Sequence, residues 1–588
     1  MVHRNDVCAG DTVNLKLTEK TDRLLSKERG AVFKEPGGRL NVCLIYPNTY
    51  HAGMSNLGFQ GIYTLLNDRN DTLCERAFLP DEGDIDEYIR TDTKLFALES
   101  KRPLNRFDVL AFSVSFENDY PNVLKILELA NIPLRASDRN QTHPLLIIGG
   151  VCSFFNPEPL ADFFDVCFVG EAEEMLNEFI DTYKKSETRQ ELYKKTAAIE
   201  GVYAPKFYSV RYEKNPPSPP IIPPHPPLVK GGWGDLKSKG MGGFSGGITQ
   251  REAIEGAPEK IKRRYIKDIS AHRFRQSIVT PETEFSGMYL IEAMRGCPWK
   301  CRFCVAGHIY SPARKKELPA IKEDINNALK ITERVGLIGP SLTDYPYISE
   351  VLKTEGVDFS ITSLRASRKS AELAGLLKGR KSVSIAPEAG TERLRRVINK
   401  KITEEDIIET SRLIFSEGIE KLRLYFMVGL PTENDDDIKG LISLVRKIRG
   451  LSKKGHIVLT LSTFVPKPFT PFQWHGMEKM EIVKKRLKAV KSSLLPIKGI
   501  KVFHDVPKQA YMQGLFSMGD RRISKALEAM LRTHDWKKAY IESGIDPDFY
   551  VMRNKDFSEK LPWDFIDSGL TKEKLWGEYQ LALSGSNQ

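Results

Sequence analysis

Cys297, Cys301 and Cys304 fall within eight residues, in the run Gly296-Cys-Pro-Trp-Lys-Cys-Arg-Phe-Cys304. An apolar, strand-like stretch, Met288-Tyr-Leu-Ile-Glu-Ala-Met294, precedes them directly. A loop this tight can wrap one metal centre, because each thiolate points inward with little chain between ligands. The spacing Cys-x3-Cys-x2-Cys supplies only three ligands. A structural zinc site is normally closed by four, whereas an iron–sulfur cube held by three cysteines keeps one iron open for another molecule. Two other readings compete. His308, four residues past Cys304, could complete a Cys3His zinc knot, although the first two spacings suit zinc modules poorly. The thiols could also be inert core residues. A disulfide framework fits worst: eight cysteines in 588 residues are sparse, and no secretory leader precedes them.

The motif, with the aromatic Phe303 before its third cysteine, resembles the signature of the radical S-adenosylmethionine (SAM) enzymes. That resemblance implies a [4Fe-4S] cluster on Cys297, Cys301 and Cys304, SAM on the open iron, and a flavodoxin- or ferredoxin-type electron donor. One electron then cleaves SAM to methionine and a 5′-deoxyadenosyl radical, which takes hydrogen from the substrate.

Placing such a loop is the work of the elements around it. Between Gly287 and about Pro471 strand and helix patterns alternate six times. The strands are expected at Met288–Met294, Val335–Ile338, Phe359–Ser363, Ser382–Ala386, Leu422–Val428 and Val458–Phe464, with helical periodicity at Ile321–Val335 and Glu404–Glu417. Six parallel units predict a partial (β/α)6 barrel, with its chemistry at the carboxyl ends of the strands. Those ends supply what the resemblance asks for. Ser341 and Asp344 follow strand two, where many relatives carry Gly-Gly-Glu to grip the SAM amino group. Ser363 and Arg365 follow strand three, the arginine suited to the SAM carboxylate. Glu388 follows strand four as an acceptor for ribose hydroxyls or the amino group. Gly429, after strand five, matches the stretch beside the adenine. Val465–Phe472, after strand six, is expected at the rim of the substrate opening.

Upstream, residues 40–185 also alternate strand and helix. Leu40–Tyr46, Phe107–Ser113, Leu145–Ile148 and Asp165–Val169 read as strands; Leu57–Leu66, Tyr120–Ala130 and Glu173–Tyr183 read as helices. The expectation is an α/β, flavodoxin-like doubly wound domain with its ligand crevice at the strand ends. Small residues stand there: Ser113 and Ser115, Gly149 and Gly150, and Gly170. Their order resembles the cobalamin-binding domain attached to one large radical SAM class, which makes cobalamin a candidate second cofactor. The Asp-x-His-x-x-Gly motif of that domain is absent; His51 stands alone in Tyr46-Pro-Asn-Thr-Tyr-His-Ala-Gly53. Glycines that serve only tight turns are the competing reading. Cys43, Cys74 and Cys152 raise a third, because methylthiotransferases hold a second cluster in such a domain.

Composition sets wider bounds. A hydrophobic fraction of 41% and a charged fraction of 28% fit a globular protein; no run is long enough to span a membrane, and a cytoplasmic location is expected. The net charge of +11 concentrates partly at Lys260–Arg264, Lys267, Arg273, Arg275 and Arg314–Lys316, which could meet RNA phosphates or simply be solvated. Residues 215–247 hold eight prolines and eight glycines, too few core formers to fold, and read as an insertion between two strands, the second at Arg264–Ile269. A Pro-rich docking site is the alternative there. The expected layout is an N-terminal extension (1–35), the doubly wound domain (36–200), a β-linker (201–285), the barrel (286–474) and a helix-rich C-terminal region (475–588). Its order, with Ser-Ile-Ala-Pro-Glu-Ala-Gly-Thr-Glu-Arg and Phe-Val-Pro-Lys-Pro-Phe-Thr-Pro-Phe-Gln-Trp, resembles bacterial B12-binding-type radical SAM proteins of unassigned substrate. Methyl transfer or a related modification is the leading reaction class. A methylthiotransferase-like RNA-modifying enzyme and a zinc-stabilised RNA-binding protein are the rivals.

Overall fold

Runs of aliphatic and aromatic residues in the first third of the chain become one sheet. Its strands are β1 (Leu40–Tyr46), β2 (Thr72–Phe78), β3 (Val109–Ser113), β4 (Leu145–Gly149), β5 (Val166–Phe168) and β6 (Val202–Tyr203). This computed structural model describes residues 14–213, 246–254, 256–361, 364–376 and 382–585. The strand order is β2-β1-β3-β4-β5-β6, parallel throughout except for the antiparallel edge β6. Nearly every residue of β1 to β5 is buried, as a sheet covered by helices on both faces requires. Strand order reverses direction between β1 and β3, so a crevice opens at their carboxyl ends.

A hairpin of β7 (Tyr208–Tyr212) and β8 (Ile248–Ala253) follows. The Pro/Gly-rich segment joins these two strands; apart from Gly246 and Gly247 it lies outside the described residues. The expected second strand at 264–269 is therefore misplaced. Arg264 makes a single parallel bridge to Gly170 and pairs its guanidinium with Glu174 and Glu178, each at 2.7 Å. The short β9 (Ile261–Lys262) pairs instead with Ile566–Asp567.

Beyond it come β10 (Tyr289–Glu292), β11 (Met294–Arg295), β12 (Arg314–Lys315), β13 (Arg334–Ile338), β14 (Asp358–Ile361), β15 (Ser382–Glu388), β16 (Lys421–Val428), β17 (His456–Thr463) and β18 (Ile500–His504). Parallel pairing gives β10-β13-β14 and β15-β16-β17-β18, joined by a parallel bridge from Leu364 to Ile385. In β16 the buried residues alternate, Leu422, Leu424, Phe426 and Val428 facing the core. All six expected strands are present. A seventh, β18, extends the row from a region read only as helix-rich, and the expected Met288–Met294 strand breaks at Ala293 into β10 and β11.

The hydrophobic interior falls into two parts. One belongs to the barrel; the other joins the N-terminal sheet to the C-terminal helices. Tyr120 meets Phe516 with ring centroids 5.6 Å apart, and Asn156 donates to the Ser517 and Gly519 carbonyls at 3.0 and 2.8 Å. No helix among the described residues is long and apolar enough to cross a membrane.

Candidate functional site

The thiol loop is held at its base by a two-residue ribbon: Met294 pairs with Lys315 and Arg295 with Arg314. Gly296 starts the loop at φ +77°, where a Cβ would stand 2.3 Å from the Tyr310 carbonyl oxygen, so only glycine fits. Cys304 N–H donates to the Cys301 carbonyl at 3.0 Å, and His308 donates Nδ1–H to the Cys304 carbonyl at 2.7 Å. The back of the loop is sewn to other segments. Arg302 N–H reaches the Ile398 carbonyl at 3.0 Å, Asn399 Nδ2 reaches Lys300 O at 3.2 Å, and Phe472 N–H reaches Arg302 O at 3.3 Å.

Cys301 is buried, while Cys297 and Cys304 are half-buried. Burial pushes the Cys301 thiol up to about 12, with Lys400 pulling it back; burial raises Cys304 too. Arg365 lies over the ring of Trp299, inside the thiol loop, and burial lowers its pKa. Glu388, at φ +68°, is raised by burial, while Lys400, 3.3 Å away, counters the rise. Burial holds the Cys301 thiol protonated and Lys400 opposes that, so binding of a metal centre to the thiolate would release the proton. Among the described residues no three His, Cys, Asp or Glu side chains converge as ligands of one metal ion. A four-iron cube makes a different demand, since it presents separate iron corners to separate thiolates. His308 commits Nδ1 to the Cys304 carbonyl, and burial lowers its pKa.

The residues expected from strand ends two to four do gather here. Trp299 donates Nε1–H to Asp344 at 2.6 Å, Ser341 donates to the same oxygen at 2.5 Å, and Arg365 stacks over the Trp299 ring at 3.4 Å. Arg365 also donates to the Lys401 carbonyl at 2.6 Å. Ser363 lies outside the described residues. Phe303 is half-buried against the larger core. Gly429 turns at φ +87° and spends its N–H on the Glu433 carboxylate at 2.6 Å. Burial pushes Glu433 up to about 7, against the pull of that N–H and of Arg486 at 2.9 Å. The 465–472 segment is not an open rim: all of it but Val465 and Lys467 is buried, and Lys467 is ion-paired with Glu117 of the N-terminal domain. Trp299, Lys400 and Glu433 carried no assigned role in the sequence. Trp299 sat in plain view inside the motif, whereas Lys400 and Glu433 gain meaning only from neighbours distant in the chain.

A cavity of about 660 Å³ adjoins the loop. Ser113, Ser115, Gly149, Gly150 and Gly170 all line it, and so do Gly296, Ala306, Gly339 and Pro340 of the barrel. It therefore runs from the carboxyl ends of β3 and β4 to the base of the thiol loop. Three of its glycines, Gly149, Gly150 and Gly170, differ in cause. A Cβ on Gly150 would meet Val114 O at 2.5 Å and one on Gly170 would meet Arg264 O at 2.3 Å, so both are backbone requirements. A Cβ on Gly149 would meet nothing closer than 3.9 Å. Only there does the missing side chain leave room for a ligand, and with Ser113 and Ser115 beside it the wall fits a flat group lying on the strand ends. At the other end, Arg295 contacts Glu173 at 2.6 Å, Glu171 at 3.0 Å and Glu292 at 2.7 Å, and Arg314 meets Glu171 at 2.7 Å. The two paired residues of the ribbon thus anchor it to the loop after β5.

His51 is exposed and does not line the cavity. The rival second cluster finds no support. Cys43 and Cys74 lie on β1 and β2 with Val42 opposite Cys74, so the two thiols face opposite sides of the sheet. Burial raises Cys43, Cys74 and Cys152 well above the usual thiol range.

Residues 58–205 match the family model "Radical SAM proteins, N-terminal", and residues 291–445 match "Radical SAM superfamily". An uncharacterized protein of Methanocaldococcus jannaschii, MJ0966, is 31% identical over 497 residues, spanning 83% of this chain and 90% of that one. A second from the same organism, MJ1620, is 21% identical over 199 residues, or 29% and 38% of the two chains. Among solved structures, the cobalamin-dependent SAM radical enzyme OxsB with aqua-cobalamin and S-adenosylmethionine bound aligns over 93% of this chain and 79% of its own, at 14% identity and a TM-score of 0.45. With two thirds of both chains exceeded at 31% identity, and both radical SAM models in order along it, this chain belongs to the radical SAM superfamily, in the same family as MJ0966.

Proposed function

We propose that this protein is a radical SAM enzyme in which Cys297, Cys301 and Cys304 hold a [4Fe-4S] cluster, and which transfers a methyl group to, or otherwise modifies, a substrate in the adjoining cavity. One observation carries the reading: three thiols share a loop beyond the carboxyl end of a parallel strand, with Arg365 stacked on Trp299 inside that loop and Glu388 paired with Lys400. When bound, the cluster supplies the electron that splits SAM into methionine and a 5′-deoxyadenosyl radical.

The chain's own side chains do the binding and aiming. Arg365 offers a guanidinium to a carboxylate and is kept in place by the Trp299 ring. Asp344 and Ser341 fix that ring, and Asp344 keeps a second oxygen for an ammonium group. Glu388 accepts from hydroxyl or amino donors, and Lys400 opposes the rise that burial gives its pKa. The aromatic and aliphatic cavity wall, including Phe112, Phe154, Phe168 and Phe274, keeps water from a reactive species.

Cobalamin is the second cofactor that Ser113, Ser115 and Gly149 would hold, which favours methyl transfer. The β2-β1-β3-β4-β5 order supports a flavodoxin-like reading of this domain. After anaerobic reconstitution and reduction with dithionite, methionine and 5′-deoxyadenosine should form in equal amounts. Gel-filtered protein incubated with hydroxocobalamin should retain the corrinoid. SAM cleavage without corrinoid retention would remove the methyl-transfer reading and keep the radical one; no cleavage would remove both.

A further inference from the structure

A barrel of parallel strands normally fills its inside with branched apolar side chains. The second half of this one does not. On β16 and β17, Leu422, Leu424, Leu459 and Leu461 pack outward with Leu444 and Leu487 of helices Asp435–Gly450 and Met480–Leu494. Successive side chains of a strand take opposite faces, so Arg423, Tyr425, Val458, Thr460, Lys501 and Phe503 turn to the inside. His504, next to Phe503, obeys the same alternation and meets Lys491 of the outer helix at 3.4 Å. Register sets the inner residues in two rows. Val458 lies between Arg423 and Lys501, and Thr460 lies between Tyr425 and Phe503.

Neither row is packed away. Tyr425 is 37% and Phe503 56% exposed. Arg423 and Lys501 are exposed as well, and so is Lys421, two residues before Arg423 on the same face. None of these three cations has an ion-pair partner among the described residues, and β16, β17 and β18 contain no acidic residue. Two open aromatic rings thus stand one row from unpaired positive charge. None of these residues lines the 660 Å³ cavity.

We propose that this inner face binds a nucleotide, its base between Tyr425 and Phe503 and its phosphate on Arg423 and Lys501. The inference goes beyond the cluster reading and does not rest on it. The two rings stem from strands two apart, about 10 Å. One planar ring between them takes a centroid distance of about 5 Å on each side, within the range of stacked aromatics. Thr460 stands between the rings and offers a hydroxyl to a base edge. The cationic row lies two residues back, about 7 Å, which leaves a sugar's length between base and phosphate. Arg423 can then grip the phosphate with two parallel N–H groups. SAM carries no phosphate, so it makes no use of this row. A long RNA is the less favoured occupant, because it needs a cationic track running past several bases. Here the charge is confined to one pair of residues and Lys421.

Calorimetric titration of the reconstituted full chain with AMP, GMP, CMP and UMP, each in turn, tests the site. At least one monophosphate should bind with a Kd below about 1 mM, and more tightly than its nucleoside. R423E/K501E and Y425A/F503A should each weaken that binding by about tenfold or more. R423Q/K501Q should weaken it in the same direction, and it serves as the readout should the charge reversals fail to fold. Dithionite-driven SAM cleavage by R423Q/K501Q should stay at the wild-type rate, and added SAM should leave nucleotide affinity unchanged. Failure of all four monophosphates to bind, or equal binding by wild type and R423Q/K501Q, would overturn the site. Displacement of the nucleotide by SAM would assign the rings to the SAM adenine and overturn it too. An RNA of about eight nucleotides that binds far more tightly than every monophosphate, and is lost in the variants, would give the face to RNA instead. Absence of SAM cleavage in the wild type would remove the radical reading, while the titrations would still decide this site.

Discussion

At the scale of single residues, the account stands on three thiols and the charges beside them. Replacing Cys297, Cys301 or Cys304 with alanine removes one third of the protein's ligands to the centre; each variant should retain little iron after reconstitution and yield no 5′-deoxyadenosine. Glu388→Gln keeps the shape and loses the charge, so it should hold iron as the wild type does but bind SAM about tenfold more weakly, roughly 1.4 kcal/mol, by calorimetric titration. Unchanged SAM affinity would leave Glu388 as a partner of Lys400 alone. The cysteines could be read from spacing because metal ligation by one loop is a local property. Asp344 and Arg365 could be placed at strand ends, but not the way they are joined. Trp299 connects them from a different segment, and no sequence pattern records a ring stacked beneath a guanidinium 66 positions away.

Elements explain why some strands were legible and others not. β1, β3 and β4 are nearly all apolar and announce themselves. β2 carries Glu75 and Arg76 yet is buried along its whole length. Arg76 is tolerated there because Glu28 and Glu99 meet its guanidinium, each at 2.7 Å, and a buried charge so paired is invisible to hydropathy. β18 has the reverse problem: only Ile500 of its five residues is buried, so neither alternation nor a continuous run marks it. The glycines at the cavity separate fold from function. Gly150→Ala should lower stability by about 2 kcal/mol, from its left-handed backbone and the contact with Val114. Gly149→Ala should unfold within about 0.5 kcal/mol of the wild type, while corrinoid retention falls. Thermal unfolding and absorbance report the two effects separately.

Lys555 gives a pH test on the C-terminal region. Burial lowers its amine from the usual lysine value to about 7, and its ammonium donates to the Tyr550 carbonyl at 2.8 Å. The unfolded chain thus binds one more proton than the folded one between pH 7 and about 10.5. Within that window this group should raise stability with pH by about 1.4 kcal/mol per unit; below pH 7 the full burial cost remains. Lys555→Met should lack that rise, so denaturant midpoints of variant and wild type should converge as pH climbs from 7 to 9.

Across the whole molecule, the C-terminal helices close on the N-terminal sheet and not on the barrel alone. Glu158 is buried between Arg251 at 2.9 Å and Arg521 at 3.2 Å, and Gln513 donates to Glu117 at 2.9 Å beside the Lys467 ion pair. These ties, with Glu171 gripping Arg314 at the base of the thiol loop, hold the cavity and the loop in register. The alternation of strand and helix announced two sheets. Their mutual placement depends on buried ion pairs between residues hundreds of positions apart, which no local periodicity carries. The central claim, a cluster with one iron open to SAM, is tested most directly by the electron paramagnetic resonance spectrum of reconstituted, reduced protein with and without SAM. The account predicts about four irons per chain and a reduced-cluster signal that changes when SAM is added. Stoichiometric zinc without iron, or a cluster signal indifferent to SAM, would contradict it.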